Sequence, residues 1–283
     1  MDNLKAKKRH PEEIAVYSAI YVCAAFSVLL LLGIIIYVFA KGARRVNWAF
    51  LTGVTSILHG TVGIAGNILN TLIIILLTMI ITTPIGVGAA IYLNEYAKPG
   101  KLVTVIIFAT ETLAGIPSII FGLFGMLFFG QLCHMGYSLL TGSLTLTLMV
   151  LPLVTRNTQE ALKTVPDSFR TGAVGLGAGK WYTIRTILLP SAMPGIVTGV
   201  ILAIGRIIGE SAALLFTAGS AHLLPKTFDA FLEKIFHSGG TLTIQLYLSA
   251  SKGEFEVAFG IAVVLLVIVP VSYTHLTLPT KLE

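Results

Sequence analysis

Arg206 and Glu210 stand four residues apart inside Gly199–Phe216, a stretch otherwise made of apolar and small residues and long enough to belong to a membrane-crossing helix. Charge is expensive there. Insertion scales place a central Arg at roughly 2.5–3.5 kcal/mol, so such residues usually face a bundle interior or a solute path. On one continuous helix, positions i and i+4 share a face, and the two side chains partly neutralise each other. The guanidinium is a planar fork of donors that stays charged and matches a tetraoxyanion. Glu210 could orient that fork, or repel an anion enough to let it leave. Glu111 follows Lys101 by ten residues, about 15 Å along a helix, and is therefore also deep. Two roles stay open for it: pairing with Arg206, or capping a broken helix before Pro117. Arg156, at the end of an apolar segment, reads as an anchor at the inner surface.

The elements that must position these side chains are membrane spans. Of 283 residues, 55% are hydrophobic and 11% charged, with mean hydropathy +0.89, outside the range of soluble globular domains. Six apolar segments can be set against the roughly 20 residues needed to cross hydrocarbon: about 14–40, 68–93, 102–130, 143–155, 193–216 and 255–271. The fourth is the weakest and borrows length from its flanks. The expectation is an all-α polytopic membrane protein with six transmembrane helices. Residues 1–13 form a cytoplasmic N-terminus, 14–269 the transmembrane domain with a cytoplasmic loop at 156–190, and 270–283 a Thr-rich end that reads as a non-native tail. The first segment is too long for a signal-peptide core and is expected to remain as an anchor. With the N-terminus inside, inner regions carry twelve Lys/Arg (Lys5, Lys7, Lys8, Arg9, Lys98, Lys101, Arg156, Lys163, Arg170, Lys180, Arg185, Lys281). Outer regions carry six (Lys41, Arg44, Arg45, Lys226, Lys234, Lys252). The bias puts both termini in the cytoplasm.

Within the spans, Pro84 and Pro117 lie beside glycines, and small residues recur four apart at Gly195, Gly199 and Ala203, at Gly205 and Gly209, and at Ser118 and Gly122. That spacing lets helix backbones approach closely. The interval from Arg156 to Pro190 reads as short helices. One covers 158–163, and another starts at Pro166 with Asp167 at its positive end and stops near Gly177, where a left-handed cap suits glycine. A third stretch, 180–189, carries Trp181 and Tyr182, residues that settle at a membrane interface. The outer interval 217–252 reads as a loop with short elements.

Several chemistries find no support. Cys23 and Cys133 have no CxxC or metal-ligand spacing and read as small apolar residues buried in the membrane domain. The glycine run Gly175–Lys180 fails the phosphate-loop spacing, with Trp181 where Ser or Thr should bind magnesium. The six histidines, His10, His59, His134, His222, His237 and His275, form no HxxxH or HExxH pair, and no Ser sits in a GxSxG elbow.

Thr171-Gly172-Ala173, three residues, Gly177, nine residues, then Ile187-Leu188-Leu189-Pro190 resembles the cytoplasmic signature of ABC importer permeases, with Thr171 and Gly172 where that family has Glu-Ala. Three further blocks, 81–96, 111–125 and 203–213, are similar to the permease subunits of phosphate-specific ABC importers. The resemblance runs from about residue 14 to 269. It implies the MetI-like architecture of that family, with 171–190 as a coupling loop that fits the ATPase subunit. It also implies a second homologous permease, two ATP-binding subunits and an extracytoplasmic phosphate-binding protein; Arg206, Glu210 and Glu111, placed by their chemistry, are the candidate residues of the substrate pathway. No cofactor is expected on this chain; ATP and magnesium belong to the partners, lipid surrounds it, and no nucleic-acid role is expected. Import of another oxyanion, such as sulfate or molybdate, stays open, as does an ion-coupled secondary transporter using Glu111 and Glu210 as proton sites.

Overall fold

A computed structural model describes residues 11–56, 61–225 and 227–277. Lys5, Lys7, Lys8, Arg9, His10, His59, Lys226 and Lys281, used above for topology or weighed as ligands, lie outside the described residues. Helix α1 (Pro11–Gly42) leads through a 3-10 turn (Ala43–Arg45) to α2 (Trp48–Thr52). A small antiparallel hairpin follows, β1 (Val54–Ser56) and β2 (Thr61–Ile64), with Val54 opposite Ile64. The rest is helical. Helix α3 (Ala65–Ile91) ends in a π-helical turn (Tyr92–Tyr96), and α4 (Lys101–Gly115) precedes α5 (Ser118–Gly125), which runs into a second π segment (Met126–Leu132). Then come α6 (Leu139–Thr164), α7 (Asp167–Gly175) and α8 (Lys180–Thr183), the last continuing through Ile184–Leu188 into α9 (Leu189–Ile208). Helices α10 (Ala212–Thr217), α11 (Phe228–Lys234), α12 (Leu242–Ser251) and α13 (Phe255–Thr277) complete the chain.

Among the described residues, four helical runs are long and apolar enough to cross a membrane: Ala15–Arg45, Ala65–Tyr96, Leu139–Thr164 and Lys180–Ile208. The third expected segment is not one straight helix. It breaks between α4 and α5 with a bend of 103°. The cause is local: Pro117 has no N–H and its ring disfavours helical backbone at the preceding residue, so Ile116 is extended (φ −73°, ψ 131°). The sixth segment is helical too, although its apolar stretch, Phe255–Pro270, is shorter than a full crossing. The backbone of α13 stays helical through Thr277, inside the segment expected to be a tail, and residues 278–283 lie outside the described residues.

Helix α6 is the centre of the bundle, flanked by α3 and α9. Leu146, Val150 and Val154 of α6 are fully buried with Ile74 of α3 and Ala203 of α9. The four-residue glycine spacing on α9 has the expected use. A Cβ at Gly199 would lie 2.7 Å from Cβ of Asn157, and one at Gly195 would lie 2.6 Å from Cβ of Ala161, so only glycine lets α9 lie this close to α6. The fourth expected segment, 143–155, does borrow from both flanks. Helix α6 runs from Ser138, whose side chain accepts from the Thr141 amide, through Pro152 to Thr164, and so absorbs the separate short helix expected at 158–163. Helix α1, packed on α13, is almost wholly exposed in the isolated chain. Cys23 and Cys133 are exposed rather than buried: Cys23 sits on that peripheral helix, and Cys133 directly follows the Met126–Leu132 segment.

Candidate functional site

Residues 149, 152, 153, 156, 159, 160 and 163 of α6 recur at the helical period and line one face. Residues 107, 110, 111 and 114 do the same on α4. Together with Leu93 at the end of α3 and Arg206 near the end of α9, these faces line an open cavity of about 410 Å³. Its wall is apolar at Ile107, Ala114, Met149, Pro152 and Leu153. Its polar groups are Thr110, Glu111, Arg156, Gln159, Glu160, Lys163 and Arg206. Three cations against two carboxylates leave the lining with formal charge +1.

Arg156 Nη2 donates to Glu111 Oε1 at 3.2 Å. The two side chains are 58% and 55% exposed, so the pair is held loosely and other ligands can compete for the guanidinium. Arg156 is eight residues from the last residue of α6, about 12 Å along the axis. The helix thus continues for two polar turns past the end of the apolar segment, where the sequence places Arg156 as an inner-surface anchor. Glu111 has Arg156, not Arg206, as its ionic partner, and it lies four residues before the Gly115–Pro117 break without capping it. Arg206 lines the same cavity and makes no ion pair among the described residues.

Glu210 departs from its expected geometry. Helix α9 stops at Ile208, with the Gly209 amide bonded to Gly205 and the Glu210 amide to Ile207 in a closing turn. The i, i+4 face shared with Arg206 therefore does not exist. Glu210 Oε1 instead accepts from the Ala213 amide at 3.1 Å at the start of α10, and its carbonyl accepts from Thr243 Oγ1 at 2.7 Å. This carboxylate fastens the break between α9 and α10 and is not among the cavity-lining residues.

The loop 156–190 presents α7 as a short rigid element. Asp167 occupies its first turn, and Gly177, with φ +80°, provides the left-handed stop expected of it, while the Ala178 amide bonds back to Ala173 O at 2.9 Å. Ala173 is buried; Thr171 and Gly172 are exposed, with Phe169, Val174 and Leu176 also open to solvent. Ile187 is half-buried in the π turn that leads into α9, and Pro190 follows directly after that turn, inside the continuous run Lys180–Ile208. The expected helix 166–177 is thus present as Asp167–Gly175. Sequence reasoning missed Arg156, Gln159, Glu160 and Lys163 as cavity residues. The signal was there: continuing the α6 period through Arg156 places all four on one stripe.

The family model described as binding-protein-dependent transport system inner membrane component matches residues 82–276. A relative from Bacillus subtilis (strain 168), named probable ABC transporter permease protein YqgI, is 37% identical over 246 residues, covering 85% of this chain and 84% of its own length. Phosphate transport system permease protein PstA 1 of Mycobacterium tuberculosis (strain CDC 1551 / Oshkosh) is 34% identical over 226 residues, 78% of this chain and 68% of its own. Among solved structures, a bacterial alginate ABC transporter in complex with an alginate-bound periplasmic protein aligns at TM-score 0.69 over 96% of both chains. Its 15% identity makes this a likeness of fold. The helical bundle, its apolar spans and a family match over more than half its length together place this chain among the inner membrane components of binding-protein-dependent transport systems.

Proposed function

We propose that the chain is the permease subunit of an ATP-driven importer that moves inorganic phosphate across the cytoplasmic membrane. The observation that carries this reading is the cavity between α4, α6 and α9. Among the described residues, it holds Arg206 without an ion pair and Arg156 paired only to an exposed carboxylate. Two guanidinium forks on an apolar-walled path suit a tetrahedral oxyanion. Glu111 keeps Arg156 occupied until an anion displaces it, which limits how tightly the anion binds. Glu210, committed to the α9–α10 break, acts on the path through the position of Arg206 rather than by contact. The substrate class is supported by the name of the mycobacterial relative and by its identity over most of this chain.

In this reading the chain itself hydrolyses nothing. ATP and magnesium act on two ATP-binding subunits seated against α7, a second permease of similar fold completes the path, and an extracytoplasmic phosphate-binding protein delivers the anion. Both termini face the cytoplasm in this reading, which the Lys/Arg bias supports. The test is purification in mild detergent, reconstitution with the binding protein and ATP, and uptake of labelled phosphate in competition with sulfate and molybdate. Arg206→Gln should abolish uptake while the subunits still co-purify. Uptake unchanged by that substitution, or competed equally by the other anions, overturns the assignment.

A further inference from the structure

The Arg170 side chain, on the cytoplasmic element α7, is tied to the ends of two spans at once. Its Nη1 donates to Val165 O at 3.0 Å and its Nη2 to Leu162 O at 3.0 Å, both at the C-terminal end of α6. Its Nη2 and Nε also reach Glu95, at 2.9 Å from Nη2 to Oε1 and 3.4 Å from Nε to Oε2, in the π-helical turn that ends α3. Asp167 Oδ1 takes a further bond from Nη1 at 3.1 Å, within α7 itself. Glu95 is 8% exposed and receives a second donor, Asn94 Nδ2, at 2.7 Å. Nothing else in the chain gives the Glu95 carboxylate a charged hydrogen-bond partner among the described residues. The same π turn is held from the other side of the loop: Lys180 Nζ, at the start of α8, lies 4.7 Å from the Tyr96 ring centroid.

These contacts converge on Tyr92–Tyr96, where the α-helical bonding of α3 has already given way to the wider π pattern. A π turn is a local fault in a helix and recurs at functional sites. Leu93, within it, lines the cavity that holds Arg156 and Arg206. The path from α7 to the cavity is therefore one side chain and one turn long: Arg170 to Glu95, then Glu95 to Leu93. We infer that Arg170 and Glu95 form a strap that makes the π-helical end of α3 move with α7, so that movement of the cytoplasmic loop changes the wall of the cavity. Arg170 is a positioning residue: it touches no substrate and acts through Glu95. A lysine cannot replace it fully, because a single ammonium cannot span the two α6 carbonyls and both carboxylate oxygens together. The inference rests on the reading of α7 as the contact with the ATP-binding subunits.

The test uses the whole reconstituted transporter, with a photocrosslinker at Phe169, exposed on α7. Cross-linking to the ATP-binding subunit, ATP hydrolysis and phosphate uptake are measured on the same preparations. In Arg170→Met, the cross-link and hydrolysis should persist while phosphate moved per ATP falls about tenfold, inside the ~5–150-fold range usual for coupling between sites. Arg170→Lys should recover part of that loss. Glu95→Gln leaves the bonds from Arg170 to Val165 and Leu162 in place, and carries the same test if Arg170→Met fails to assemble; its ratio should also fall. A preserved cross-link with an unchanged ratio in Glu95→Gln overturns the strap and leaves the reading of α7 standing. Absence of the cross-link in the unmodified transporter overturns the reading of α7, and the strap with it.

Discussion

Removing the charge of Glu111 separates a pathway role for Arg156 from a structural one. The ion pair spans 3.2 Å, and both side chains are more than half exposed. At that separation the Coulomb attraction is about 1.3 kcal/mol in a water-like medium and about four times that at an effective dielectric constant of about 20. Exposed pairs nevertheless contribute only ~0–1 kcal/mol to folding, because ordering two long side chains costs entropy. Glu111→Gln should therefore leave the thermal stability of the assembled transporter almost unchanged. For an anion in the cavity the balance differs, since the competitor for Arg156 is gone. A change of about 1 kcal/mol in favour of the bound anion slows its release about fivefold. Uptake at saturating binding protein should then fall by a similar factor. The assay is a double-mutant cycle on uptake in proteoliposomes, with Glu111→Gln, Arg156→Gln and both. Residues acting as one unit give a coupling energy above about 0.5 kcal/mol, whereas independent sites add to within roughly that amount. Additive effects on uptake, or a stability loss of several kcal/mol in Glu111→Gln alone, would refute the reasoning.

Glu210→Ala should lose the cap on the Ala213 amide and about 0.5–2 kcal/mol of stability, read by thermal unfolding in detergent, while Glu210→Gln keeps an acceptor and most transport. Loss of uptake in Glu210→Gln at normal stability would return this residue to the pathway. Gly199→Leu forces a side chain into a gap where even a Cβ meets Asn157 Cβ at 2.7 Å, and should cost about 1–3 kcal/mol or block assembly. An unchanged melting temperature would show that α9 and α6 are not in close contact. Lys234, 7% exposed at the end of α11 and donating to the Leu223 carbonyl, has its pKa pushed below 10.5 by burial. Between that lowered value and 10.5 the unfolded chain binds more protons than the folded one, so this group makes stability rise with pH across the window and fall as pH drops through it. Melting curves of Lys234→Met over the same range should lose that part of the slope; an identical slope would contradict it.

The family blocks and the apolar segments were legible along the chain because each depends on neighbours in sequence. Spans declare themselves by length and hydropathy. The close approach of α9 follows from glycines four apart, and the end of α7 follows from a glycine with a left-handed backbone. The positions of Arg206 and Glu111 deep in apolar stretches were equally plain. Their partners were not. Whether Glu111 meets Arg206 or Arg156 depends on how α4 crosses α6, and the 45-residue separation of the actual pair carries no periodic signal. The same holds for Glu95 and Arg170, 75 residues apart.

Arg206 and Glu210 show where local reasoning stops. Four-residue spacing puts two side chains on one face only while the helix continues, and α9 ends between them at Ile208, where Glu210 binds the Ala213 amide and Thr243 binds the Glu210 carbonyl. The sequence by itself determined that this chain carries membrane-crossing helices, which charges lie inside its apolar stretches and which residues begin and end α7. Only the tertiary structure decided which carboxylate pairs with which arginine, and which arginine lines the cavity with no ion pair among the described residues. Hydropathy and periodicity specify the faces of individual helices, while the meeting of two faces is fixed by packing between elements far apart in the chain.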